Sequence, residues 1–406
     1  MADERKRILT GVRPTGALHL GHYAGALENW IRLQHEYECY FLIADYQVSD
    51  YANDVERVRR SVFDVALDWL AVGLDPEGSH YVIESQVPEH AELTLWLSWW
   101  IGLGRLERNP TLKAEMVDVE AKLDAVPVAF FNYPVMQVAN ILMPRAHLVP
   151  VGEDQAPHIE LTREVARRFN RMFGEGREVF PIPEALIGRV PRLVGLDGNA
   201  KMSKSLGNTI DLRDSAEDVT RKVMSMYTDP TRLRATDPGH VEGNPLFMYH
   251  DAFNPNVEQV NDFKERYVAG KVGDVEVKRA LASAVNELLE PLPRAARALP
   301  REAGAGAGGA RHGYRGYKRA AEETMALVRD AIGLDYLAPR SRWWVRRRPD
   351  SPRGGAARNP RQPPRSLLDA GAASAASGLR GGGPDARGGA GEADAPCSRR
   401  YRPPSR

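Results

Sequence analysis

The sequence predicts an α/β protein: a doubly wound parallel sheet, then an all-helical region, then a tail that does not fold. Three observations carry this expectation. Short apolar runs alternate with amphipathic helices through the first half of the chain. Beyond Ile210 the apolar periodicity is wholly helical, and from residue 339 onward it is gone. A β–α–β–α rhythm argues for a parallel sheet with right-handed crossovers. In such sheets ligands gather at the carboxyl ends of the strands.

Taken in order, Ile8-Leu9-Thr10-Gly11 reads as a strand entering a loop that holds Pro14 and Gly16. A helix follows from near Leu20, with Leu20, Ala24, Leu27 and Ile31 at helical spacing on one face. Residues 39–44 are a continuous apolar run of strand length, 55–72 a long amphipathic helix, and Tyr81-Val82-Ile83 a third strand. From about 86 to 123 the pattern is helical and contains Trp96, Trp99 and Trp100, which read as core or interface packing rather than substrate contacts. Leu148-Val149-Pro150-Val151 is a strand ending at Gly152-Glu153-Asp154-Gln155. A helix over 158–170 follows, with Leu161, Val165 and Phe169 on one face.

Beyond Ile210, Ser215 with Asp218 has the spacing of a capping box. Val260, Phe263 and Tyr267 form a stripe that stops at Gly270. Asp274 is placed to cap a helix carrying Val277, Leu281, Val285 and Leu288, and Ala321, Met325, Val328 and Ile332 line the last helix. The expected organisation is therefore a catalytic domain over 1–210, with a helical insertion at about 86–130, a helical domain over 211–338, and a disordered tail over 339–406.

Composition narrows the function. A chain of 406 residues suggests two or three domains, and 43% hydrophobic residues can build a sizeable core. No stretch approaches the roughly 20 apolar residues of a membrane span, and the charged N-terminus has no apolar run of signal-peptide length. Cys39 and Cys397 alone make neither a disulfide framework nor a zinc site. The expected location is cytoplasmic.

The formal charge of +1 hides an asymmetry. Residues 339–406 hold 15 Arg, no Lys and 5 acidic residues, which leaves the body at −9. The body is thus no broadly basic nucleic-acid binder, and any RNA contact must come from local patches. The tail cannot bury enough apolar surface to fold. Its Arg, Ala, Gly and Pro content is what a GC-rich gene gives when read out of frame. The expectation is that the tail, and with it the Ala/Gly-rich stretch 292–316, is not selected protein sequence. An intact reading frame on resequencing, with related chains sharing the tail, would overturn this; RNA binding by a basic tail is the alternative.

Two motifs carry the chemistry. Lys201-Met202-Ser203-Lys204-Ser205 follows a Gly-rich turn at Gly195 and Gly198, and two lysines with two serines suit a loop that wraps a triphosphate and releases it. His19-Leu20-Gly21-His22 lies about 180 residues earlier, at a loop-to-helix junction. There the helix N-terminus attracts anions and two imidazoles add donors. Gly21 lets a flat base approach the backbone. A metal-binding histidine pair is the alternative, and it lacks a third ligand nearby in sequence. At Gly152-Glu153-Asp154-Gln155 a carboxylate suits ribose hydroxyls and a side-chain amide suits an amino acid. A merely solvated acidic loop is the alternative there.

With the order of these two motifs, Gly11-Val12-Arg13-Pro14-Thr15-Gly16, Tyr133-Pro134-Val135-Met136-Gln137, the block 149–170 and Thr228-Asp229, the chain resembles the bacterial-type tryptophanyl-tRNA synthetases, a family of class I aminoacyl-tRNA synthetases. The likeness covers roughly residues 5–290 and 318–336. It implies a Rossmann-like catalytic domain and a two-step reaction. The tryptophan carboxylate attacks the ATP α-phosphate, and a hydroxyl of the tRNA 3′-terminal ribose then attacks the activated carbonyl. Positioning and charge stabilisation do most of this work.

By the same resemblance, His19 and His22 hold ATP phosphates and Gly21 lies beside the adenine. Arg13, Pro14 and Thr15 line the nucleotide loop, where relatives often have Gln in place of Arg13. Gly152, Glu153 and Asp154 form the ribose loop, with Asp154 on the ribose. Lys201 and Lys204 stabilise the pyrophosphate with Mg²⁺ assisting, while Met202, Ser203 and Ser205 complete that loop. Tyr133, Gln137, Asn140 and Gln155 select L-tryptophan. The family usually has Asp at position 140, accepting from the indole N–H. An uncharged acceptor is weaker by roughly 1 kcal/mol, so Asn140→Asp is expected to lower the tryptophan KM.

The resemblance further implies tRNA(Trp) as partner, with its anticodon read by the helical domain, where Arg221, Lys222, Arg232 and Arg234 are candidates or plain surface charges. It implies a homodimer and no membrane. Some relatives hold an iron–sulfur cluster, for which this chain lacks the cysteines. A tyrosine ligase or auxiliary paralogue stays open because of Asn140, as does a non-catalytic RNA-binding relative.

Overall fold

The computed structural model describes residues 5–123, 125–152, 155–187, 193–198, 202, 206–232, 234, 236–292 and 307–334. The expected tail over 339–406 lies outside them. Residues Met1–Arg340 form one compact unit.

Its centre is a five-stranded parallel sheet made of β1 (Arg7–Val12), β2 (Glu38–Ile43), β3 (His80–Ile83), β4 (Leu148–Val151) and β5 (Glu184–Ile187). The order is β3-β2-β1-β4-β5, with Thr10 opposite Phe41, Tyr40 opposite His80, Ile8 opposite Leu148 and Val149 opposite Ala185. The order reverses between β1 and β4. A crevice therefore opens past their carboxyl ends, where open α/β sheets take ligands. Four of the strands are the four apolar runs of the sequence. β5 is a four-residue edge strand with no fully buried residue.

Both faces of the sheet are covered, as the continuous apolar runs require. Side chains alternate across it: Ile8, Cys39, Phe41 and Ile43 enter one core, while Leu9, Tyr40 and Leu42 enter the other. The first core takes Trp30 from α2 (Glu28–Leu33) and Val65 and Trp69 from α3 (Val55–Ala71). α2 continues a helical run that opens as α1 (Leu20–His22) and widens into a π-turn over Tyr23–Leu27.

The second core takes side chains from four helices of the middle of the chain: α4 (Glu89–Ser98), α6 (Pro110–Leu123), α7 (Val128–Leu142) and α8 (Ala156–Phe173); α5 (Leu103–Glu107) adds Leu106. Trp96 and Trp100 pack against this core, as their reading as packing residues expects, whereas Trp99 is exposed.

The helical region holds α9 (Ala216–Met224), α10 (Pro245–Phe253), α11 (Val257–Val268) and α12 (Asp274–Leu289). Their apolar faces join the first sheet core. Ser215 caps α9 by accepting from the Asp218 N–H at 3.1 Å. Asp274 is not a cap: Gly273 holds that place, and the Asp274 carboxylate accepts from the Tyr267 hydroxyl at 2.8 Å.

The last helix, α13 (Ala307–Ile332), differs most from expectation. It lies against β3 and α4 rather than with α9–α12. Gly313 and Gly316 permit this. A Cβ at Gly313 would sit 2.9 Å from the Ser79 carbonyl oxygen, and one at Gly316 would sit 2.4 Å from the His80 ring. Gly313 and Gly316, within the stretch 292–316 read as losing its periodicity, are close-approach positions of a packed helix.

Candidate active site

The loop after β1 meets Met202 and residues 210–212. Leu20 N–H donates to the Ile210 carbonyl at 2.9 Å, and Leu212 N–H donates to the Leu18 carbonyl at 2.9 Å. His19 bridges Asp211 in antiparallel fashion. Met202, buried in the first core, reaches the motif itself: a Cβ on Gly21 would lie 2.8 Å from its sulfur and 3.0 Å from the His19 ring. Gly21 therefore makes room for Met202.

The two histidines are oriented by backbone. His19 Nδ1 accepts from the Gly21 N–H at 3.1 Å, and His22 Nδ1 accepts from the His19 N–H at 3.2 Å. This network assigns the proton of each neutral ring to Nε2, where it is a donor. The ring centroids stand 3.9 Å apart.

An ionic clamp holds the same junction. Asp68, fully buried on α3, accepts from the Leu18 N–H at 2.6 Å. Its other oxygen lies 2.6 Å from Arg213 Nε, a close ionic contact, and Arg213 also reaches Asp64 at 2.6 Å. Burial pushes the Asp68 carboxyl up to about 6, against the pull of Leu18 N–H and Arg213.

Of the remaining nucleotide-loop candidates, Arg13 is ion-paired with Asp50. Pro14 is buried, and the Thr15 carbonyl accepts from Arg57 at 3.2 Å. Gly152 accepts from the Gln155 N–H at 3.0 Å just beyond β4. Glu153, Asp154, Lys201, Ser203, Lys204 and Ser205 lie outside the described residues.

The four residues expected to select the amino acid come together. Tyr133, Gln137 and Asn140 follow one another down a face of α7. Tyr133 Oη lies 3.4 Å from His158 Nε2, and Gln137 Nε2 donates to Gln155 Oε1 at 3.3 Å. Asn140 Nδ2 donates to Glu84 Oε1 at 2.8 Å, between two side chains each 1% exposed.

Glu84 is the site residue that sequence reasoning missed. It directly follows β3, so its position at a strand's carboxyl end was the available signal. Its Oε2 accepts from the Tyr46 N–H at 3.1 Å. Burial raises its carboxyl to about 7, opposed by the bonds from Asn140, Tyr46 and Gln47. His158, fully buried and 3.3 Å from the Asn109 amide, was read only as the start of a helix.

The family profile described as tRNA synthetases class I (W and Y) matches residues 1–290. A tryptophan–tRNA ligase of Treponema pallidum is 51% identical to this chain, over 81% of the chain and 97% of the relative. The chain belongs to the class I tryptophanyl-tRNA synthetases. A second such ligase, from Clostridium longisporum, is 44% identical over 81% of this chain and 97% of its own length. A solved tryptophanyl-tRNA synthetase from Campylobacter jejuni, complexed with ADP and tryptophan, aligns with a TM-score of 0.69 at 31% identity. That alignment covers 81% of this chain and all of the other.

In this tryptophanyl-tRNA synthetase the cations offered for RNA contact differ sharply. Arg232 is buried: it donates to the Val272 carbonyl at 2.7 Å and to Asp237 O at 2.8 Å, and it stacks 3.9 Å over the Tyr267 ring. It is a structural arginine. Lys222 bonds Asp214 at 2.6 Å, while Arg221 is exposed beside Asp218 and Arg234 is exposed.

Proposed function

We infer that this chain is a tryptophan–tRNA ligase, which joins L-tryptophan to AMP at the expense of ATP and passes the tryptophanyl group to tRNA(Trp). The observation that supports this is the close approach of Met202 to Gly21, which sets residue 202 beside the 19–22 motif.

Within that reading, His19 and His22 donate from Nε2 to the ATP phosphates, and Arg13, Pro14 and Thr15 shape the nucleotide loop. Gly152, Glu153 and Asp154 take the ribose, and Lys201, Ser203, Lys204 and Ser205 with Met202 close on the pyrophosphate. Fixed donors at developing negative charge support catalysis because they need no reorganisation. Tyr133, Gln137, Asn140 and Gln155 hold the amino acid. Among the described residues no group of three or more His, Cys, Asp or Glu could hold a metal. Mg²⁺ would therefore come with the ATP phosphates, as their counter-ion.

The helical region 211–292 would read the anticodon. Arg221 and Arg234, exposed, suit this better than Arg232. A homodimer is also proposed. It is supported by the exposed apolar side chains Leu95, Trp99, Leu103, Val117 and Val128 in the helical insertion. No described helix is long and apolar enough to cross a membrane, and a role in translation fits a cytoplasmic location.

Exchange of labelled pyrophosphate into ATP, run with tryptophan and with tyrosine beside tRNA charging, tests the assignment. Tryptophan-dependent exchange is expected. Exchange with tyrosine alone, or with neither, overturns it.

A further inference from the structure

The amino-acid end of the site holds a group that its assigned residues do not explain. Asn140 is 1% exposed, and its carbonyl oxygen faces the buried His90 ring, which leaves one of its two lone pairs without a partner among the described residues. A carbonyl oxygen accepts two hydrogen bonds, so a ligand donor can join His90 at this atom. The other half of the same amide is committed: Nδ2 donates to Glu84 Oε1 at 2.8 Å. Glu84 is itself fixed from behind, through the Tyr46 N–H at 3.1 Å and the Gln47 amide at 3.5 Å. Both come from the carboxyl end of β2, next to β3 in the sheet.

This arrangement does two things to Asn140. An amide can turn over at no steric cost, and only its neighbours decide which atom faces where. Glu84 cannot donate when ionised, so it holds Nδ2 toward itself and turns Oδ1 away, toward His90 and the expected indole. Donation to a carboxylate also polarises the amide, which strengthens Oδ1 as an acceptor. The buried His90 stands beside Asn140, its Nε2 2.9 Å from the Tyr317 hydroxyl.

We propose that Glu84 is the positioning residue for indole recognition. It fixes the Asn140 amide so that Oδ1 accepts the indole N–H, and it supplies from the end of β3 the negative charge that residue 140 lacks. This rests on the reading of the chain as a tryptophan ligase. The specificity determinant is then a pair contributed by two elements, β3 and α7.

The test compares tryptophan with the analogue in which sulfur replaces the indole N–H, in pyrophosphate exchange by the full chain. Glu84→Gln keeps the shape and can present either end of its amide to Asn140. It is expected to raise the tryptophan KM about tenfold, leaving the ATP KM and the analogue's KM within about twofold. The double variant E84Q/N140D returns a carboxylate to the pair and is expected to restore discrimination against the analogue.

An equal rise in KM for tryptophan and analogue would show a structural role and overturn the proposal, as would an unchanged tryptophan KM. Failure of the double variant to restore discrimination would overturn it too, including where E84Q alone does not fold. If the wild-type chain shows no tryptophan-dependent exchange, the functional reading itself has failed, which is a separate result.

Discussion

At the histidine end of the site, segments far apart in the chain are joined through the main chain, Leu20 to Ile210 and Leu212 to Leu18, while each histidine Nδ1 accepts from a backbone N–H two or three residues away. At the tryptophan end the contacts run between side chains: Asn140 to Glu84, Gln137 to Gln155, Tyr133 to His158. Main-chain bonds do not depend on residue type. Side-chain bonds do, and one substitution rewires them. The nucleotide end is thus tied by geometry and the amino-acid end by chemistry, so the second is the easier to retune.

If the nucleotide end is held as a unit, Asp68→Ala is its most damaging single change. It leaves the Leu18 N–H without its acceptor and Arg213 without its buried partner, with an expected loss of about 3 kcal/mol. Urea unfolding would show it, and a midpoint shift within error would break the idea that the clamp matters. His22→Asn separates orientation from catalysis. Its amide oxygen can still accept the His19 N–H, but the Nε2 donor is gone. The exchange rate should fall about a hundredfold with little change in melting temperature. A lower melting temperature at normal rate would make His22 structural.

The amino-acid end can be sharpened by pH. The Glu84 carboxyl is raised to about 7 in the fold from an ordinary 4.5, so the folded protein binds the extra proton. Its contribution to stability is greatest in acid and falls as pH rises between about 4.5 and 7, by at most about 1.4 kcal/mol per pH unit. Asp45 pushes the same way, and His90, held down to about 3 by burial, stays neutral throughout this window. Glu84→Gln should flatten that slope in denaturation curves taken at several pH values; an unchanged slope would assign it to other groups.

The smallest expected effect belongs to Asn140→Asp. Sequence alone predicts tighter tryptophan binding. Beside Glu84 the new carboxyl would face a second one at hydrogen-bond distance, and the two cannot both ionise. The tryptophan KM should rise about threefold, and a fall would restore the simpler expectation.

What was legible follows the same division. β1 to β4 were legible because continuous apolar runs signal strands buried on both faces, and the 19–22 and 201–205 motifs because phosphate chemistry needs those residue types. β5 was not, since Glu184–Ile187 is a half-buried edge whose apolar run, Ala185-Leu186-Ile187, is only three residues long beside Pro181 and Pro183. Glu84 was not singled out, because a carboxylate's burial depends on partners from elsewhere in the chain, here Tyr46 and Asn140. Arg232 looked like a surface charge until Tyr267 and Val272 closed over it. The glycines of α13 resembled low complexity, though the approach of that helix to Ser79–Tyr81 requires two of them.

That helix also sets the order in which the enzyme can be finished during synthesis. Tyr317 reaches back to His90 next to Asn140, and Lys318 and Arg329 grip Glu89 and Glu92 of α4. The ribosome therefore extrudes both phosphate-binding motifs well before the segment that buttresses the indole pocket. On the proposed reading, a nascent chain stalled short of residue 317 would carry its nucleotide apparatus without a completed selector, and release of the last helix would lock discrimination into place.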